Sequence, residues 1–180
     1  MDHYSVNSLK KIKNEVYSKK KNCEVIAVSK TFDLEKIKPL IDHGHRHFGE
    51  NKVQEAVEKW SSIKIELRDI KLHMIGKLQS NKVKHAVKIF DYIHTLDSIK
   101  LAKKIHDEQI KIQKKLKIFI QINLGNEEQK SGINPLELDE LYNFSTKNLN
   151  LDVIGLMCIP PISSKPREAF SIMRELNNIC

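Results

Sequence analysis

A lysine at position 30 is the sharpest chemical feature of this chain. It lies in the stretch "VIAVSKTF" (Val25–Phe32), where Val25, Ile26, Ala27 and Val28 read as a short buried strand. Ser29 and Lys30 stand where that strand leaves the core. Desolvation lowers an amine's proton affinity, and the freed lone pair attacks a carbonyl to give a Schiff base. The other reading is a lysine in the following loop that runs its apolar stem out to solvent.

Further stretches bring polar residues to strand ends. In "HFGENKVQEA" (47–56), Gly49 allows a tight turn that aims Glu50 and Asn51 outward. Asn51 there either hydrogen-bonds a ligand ring or caps the helix that follows. "LHMIGKLQSNKVK" (72–84) places His73 and Met74 at a strand end and Gly76 at the turn. Ser80 or Asn81 then opens a helix whose first amides face an anion or simply a loop. "NEEQKSG" carries Glu127, Glu128 and Lys130, an acid–base set or a solvated loop. His43, His45 and His47 alternate, but no cysteine or carboxylate stands at ligand spacing, so no metal site is assigned. No G-x-S-x-G, G-x-G-x-x-G or P-loop occurs, and no catalytic residue is assigned.

These stretches need elements to position them. Strand-like runs fall at Glu24–Ser29, Arg46–Phe48, Lys71–Ile75, Tyr92–Thr95, Leu116–Ile122 and Asp152–Met157. Amphipathic helical patterns fall at Ser5–Lys20, Asp33–Asp42, Asn51–Trp60, Asn81–Lys88, Ser98–Gln113, Pro135–Phe144 and Lys165–Asn178. Asp97 or Ser98 caps the fifth of these, and Asn134 caps the sixth with proline in its first turn. Strand and helix alternate six times, which argues a parallel sheet with crossover helices. An open doubly wound sheet and a (β/α)8 barrel both fit, and polar residues after nearly every strand suit a barrel mouth.

The chain has 180 residues, enough for one ordinary domain with a sizeable core. The formal net charge is +8, carried by 27 lysines and only four arginines. With 23 isoleucines and 13 asparagines alongside, A/T-rich codon usage explains that excess better than a nucleic-acid partner does. Three widely spaced cysteines, no apolar N-terminal core and no run of about 18 apolar residues point to a reduced cytoplasmic protein without a membrane span.

Taken together, "AVSKT", "FGENKVQE", "H-x-IG-LQSNK", "LDS", "QIN-…-E-x-x-K-x-G" and "GLM-IP" resemble the pyridoxal phosphate homeostasis protein family, relatives of the N-terminal barrel of alanine racemase. The resemblance runs from Leu9 to about Leu176. It implies a TIM (β/α)8-type barrel in a single domain over residues 1–180, with pyridoxal 5'-phosphate (PLP) as cofactor. It makes Lys30 the lysine that forms the internal Schiff base and puts Asn51 near the cofactor, with Lys130 as a second lysine. It implies a non-catalytic role in intracellular vitamin B6 homeostasis, with PLP-dependent apoenzymes as partners and a monomer or weak dimer. The family's S-M-G-M-S and R-I-G stretches, which hold the cofactor phosphate, do not occur here. The expectation is therefore an incomplete barrel, about six of eight β/α units, truncated at its C-terminal side. The alternatives are a remnant with weak or no PLP binding and a racemase-like enzyme.

Overall fold

The computed structural model describes residues 3–125, 131–160 and 166–177. Six parallel strands form one sheet in sequence order: β1 (Ala27–Val28), β2 (His47–Glu50), β3 (Lys71–Met74), β4 (Tyr92–Leu96), β5 (Lys117–Ile122) and β6 (Asp152–Cys158). Helices precede and link them: α1 (Tyr4–Lys19), α2 (Leu34–Asp42), α3 (Val53–Glu66), α4 (Val83–Ile89), α5 (Ile99–Ile112), α6 (Leu138–Asn143) and α7 (Pro166–Asn177). A sheet ordered 1-2-3-4-5-6 with a helix in every crossover is the barrel winding, and here β1 and β6 each pair on one side only. The expected barrel-type α/β fold with six β/α units is what the described residues form.

Strand alternation sends one face of the sheet to the helices. Phe48 of β2 meets Trp60 of α3 with ring centroids 4.8 Å apart, and both are fully buried. Leu72, Met74, Ile93, Ile118 and Ile120 continue that layer across β3, β4 and β5, with almost no exposed area. Each such side chain contributes about 1.5–3 kcal/mol of burial. Helix α3 runs past the expected end at Trp60 because Ile63 extends the apolar series Val53, Ala56, Trp60. Helix α5 starts where Ser98 accepts the Leu101 amide at 3.3 Å and stops at Gln113, which turns left-handed at φ 52.

Two expectations need adjusting. The single helix over Pro135–Phe144 is a 3-10 turn (Pro135–Glu137), α6 and a π-helical turn (Phe144–Asn148). The Asn134 cap is present, with Glu137 closing a reciprocal bond to the Asn134 amide at 2.9 Å. The first strand is much shorter than Glu24–Ser29, since only Ala27 and Val28 pair, with Phe48 and Gly49 of β2.

Candidate functional site

Lys30 sits in the turn after β1 and is exposed. The expected shielding from water is therefore absent: β1 is an edge strand of two residues, and among the described residues only β2 pairs with it. The backbone on either side of Lys30 is nevertheless fixed. The Ser29 amide donates to Gly49 O at 2.9 Å, and the Ser29 hydroxyl donates to Glu50 Oε1 at 2.7 Å. The Thr31 amide donates to Glu55 Oε1 at 2.6 Å, and Thr31 is held at φ 65 in the left-handed region.

Glu50 does not face the mouth as the "FGEN" turn implied. Gly49 lies inside β2, not in a turn, so strand alternation directs Glu50 with Phe48 toward the helices. Glu50 is fully buried, and its Oε1 also accepts from Trp60 Nε1 at 2.9 Å and Lys59 Nζ at 3.0 Å. Lys59 donates further to Ser29 O at 2.8 Å and Glu55 Oε1 at 3.1 Å. The Thr31 amide is the main reason the Glu55 carboxyl is held below its ordinary value, and Lys59 adds to it.

Asn51 follows β2 and is half-buried. It does not cap α3: the N-cap position is Lys52, which makes no side-chain cap bond. Val28 pairs with Gly49, so Lys30 and Asn51, each two residues further on, reach the rim at the same level. Asn51 lines two cavities there. One, of about 250 Å³, is bounded by Asn51, Gly76, Lys77, Gln121, Asn123 and Ile159 at the carboxyl ends of several strands. The other, of about 360 Å³, is bounded by Asn51, Lys52, Met74, Lys77 and Lys82. Gly76 makes this packing possible, since a Cβ there would lie 2.3 Å from Asn51 O. Gln121 is buried and donates to Ser131 O at 3.0 Å, while its Oε1 has no partner among the described residues. Lys130 lies outside the described residues.

The histidines separate by role. His43 is exposed at the end of α2, and buried His45 donates from Nε2 to His47 O at 2.8 Å. His47 Nδ1 lies 3.0 Å from His73 Nε2, and His73 Nδ1 lies 2.8 Å from His94 Nε2. Three imidazoles thus run across β2, β3 and β4, with Tyr92 stacked on His73 and Phe119 on His94. Burial pushes His73 down to about 3, with His94 and His47 adding to the shift, and pushes His94 down to about 4. Among the described residues no group of three histidine, cysteine or carboxylate side chains is arranged to hold a metal ion. Cys23 and Cys158 are free thiols, and no described helix is long and apolar enough to cross a membrane.

Sequence reading missed the Glu50–Glu55–Lys59–Trp60 network and the histidine row. The i,i+4 spacing of Glu55 and Lys59 was a legible signal for part of the first. The second links residues far apart in sequence, which spacing does not reveal.

Parallel β/α crossovers and a polar rim at the strand ends define a barrel-type α/β protein. Residues 7–179 match the family model "Alanine racemase, N-terminal domain", and the chain belongs to that family. It is 36% identical over 159 residues to the pyridoxal phosphate homeostasis protein of Aquifex aeolicus (strain VF5), covering 88% of this chain and 69% of that one. It is 38% identical over 153 residues to the protein of the same name from Escherichia coli (strain K12), covering 84% and 65%. The chain thus spans about two thirds of the length of these relatives. PipY of Synechococcus elongatus PCC7942, solved with PLP bound, superposes with a TM-score of 0.79 at 31% identity, over 93% of this chain and 80% of that one. Alanine racemase of Clostridium difficile 630, at 15% identity and a TM-score of 0.67, shares the fold. The resemblance drawn from the six sequence stretches holds at the level of the family.

Proposed function

We propose that this chain binds pyridoxal 5'-phosphate through Lys30 and Asn51 and serves intracellular vitamin B6 homeostasis without turning over a substrate. When bound, PLP supplies an aldehyde that condenses with a primary amine. The observation that carries the reading is Lys30 itself: an exposed amine at a strand end, on a backbone anchored through both Ser29 and Thr31. The surroundings fit such a group. Asn51 reaches the same rim, and Gln121 lines the adjoining cavity beside it. Lys77, exposed and lining both cavities, supplies a cation suited to a phosphate. The PLP-bound relative at 31% identity supports PLP as the ligand.

Lys30 provides the attachment point, Asn51 orients the ring, and the anchored turn keeps the amine at the rim. A catalytic cycle of racemisation needs a second acid or base on the opposite cofactor face, which this reading does not assign. The compartment is the reducing cytoplasm, the partners are PLP and PLP-dependent apoenzymes, and the chain acts as a monomer or weak dimer. Titration with PLP, followed by its visible absorption on the protein after gel filtration, tests the assignment. One equivalent should be retained by the parent chain and lost in Lys30→Ala. Retention in Lys30→Ala equal to the parent, or racemisation above a free-PLP control, would overturn it.

A further inference from the structure

Two carboxylates and an ammonium converge on the residues flanking Lys30, yet none belongs to the rim. Glu50 is fully buried and the Lys59 side chain is 9% exposed. Burying such a pair is expensive, and apolar residues of similar volume often serve stability as well or better. The Glu50 Oε2 atom is buried without a partner among the described residues, which adds to the cost. Thr31 is a β-branched residue in the left-handed region, a conformation that glycine adopts freely and threonine resists. These costs gather at one point. Every bond of the group that reaches β1 and its turn goes to Ser29 or Thr31 and none to Lys30: Glu50 and Lys59 hold Ser29 Oγ and O, and Glu55 holds the Thr31 amide.

We propose that Glu50, Glu55 and Lys59 are positioning residues for Lys30, clamping the backbone on both sides so that its amine stays registered with Asn51. The clamp does what a two-residue edge strand cannot do alone, because β1 has a single sheet neighbour. Trp60 Nε1 completes it by fixing the Glu50 oxygen that Ser29 and Lys59 share. The strained Thr31 is then part of the device: the left-handed turn carries the chain away from the rim immediately after the lysine.

The inference rests on the reading that Lys30 attaches PLP, and the experiment separates the two. Three variants, Glu55→Ala, Thr31→Gly and Lys30→Ala, are compared with the parent by PLP titration, thermal midpoint and amide hydrogen exchange at residues 29–31. Glu55 is only half-buried, and glycine relieves the Thr31 backbone, so both clamp variants fold. Thr31→Gly keeps the amide that Glu55 holds and should keep or raise the thermal midpoint with PLP affinity within two-fold of the parent. Glu55→Ala should lose protection at the Thr31 amide and weaken PLP five-fold or more. PLP binding within two-fold of the parent in folded Glu55→Ala overturns the clamp and leaves the Lys30 assignment standing. Covalent retention of PLP by Lys30→Ala overturns the assignment and the clamp together.

Discussion

The two ends of the sheet are built to different rules. At the amino-terminal floor several charges are paired. Asp91 pairs with Lys64 and accepts the Leu72 amide at 2.8 Å. Lys114 donates to Phe90 O at 2.6 Å, and Arg46 Nε to Asp69 at 2.5 Å. At the carboxyl-terminal rim Lys30, Lys52 and Lys77 are exposed, and Gln121 keeps a buried oxygen without a partner among the described residues. A floor with its polar groups satisfied carries stability, and a rim with capacity to spare carries binding.

Substitution should therefore separate the ends. The largest effect of a single substitution is expected at the floor: Asp91→Ala takes the carboxylate from Lys64, which keeps only Ile89 O at 3.0 Å, and the acceptor from the Leu72 amide, and should cost about 2–3 kcal/mol in urea denaturation. PLP retained per folded molecule should not change, and a parallel loss would erase the distinction. Next comes acid, acting on the histidine row between floor and rim. His73 and His94 have folded values below the unfolded 6.5, so the unfolded chain takes up protons first as pH falls. Stability is full above 6.5 and should drop by roughly 2 kcal/mol for each of the two between pH 7 and 5. His73→Phe should flatten that slope in pH-dependent melts, and an unchanged slope would place the titration elsewhere. Gly76→Ala should cost about 1–2 kcal/mol, because its Cβ must displace the Asn51 backbone, and should also weaken PLP. The smallest effect on stability, within about 0.5 kcal/mol, is expected for exposed Lys30→Ala, which should nonetheless abolish attachment.

Much of this was legible in the sequence because its signals are local. All six strands followed from apolar runs such as Leu116–Ile122, and the caps at Ser98 and Asn134 from residue type, whereas the alternation left the strand order open between a doubly wound sheet and a barrel. The rim residues Lys30 and Asn51 were found because they follow strands. The direction of Glu50 was misread because the expected strand ends at Phe48, whereas β2 runs two residues further and strand alternation then sets Glu50 on the face of Phe48. The clamp and the histidine row escaped because they join β1 to α3 and β2 to β4, contacts that exist only after the crossovers form.

The central claim is that one amine among 27 is set apart by its position. Sub-stoichiometric PLP, trapped by borohydride reduction and located by peptide mass spectrometry, addresses it directly. The label should concentrate on the peptide bearing Lys30 and vanish there in Lys30→Ala without reappearing elsewhere. Label spread evenly over the surface lysines, with the same total in Lys30→Ala, would contradict the account.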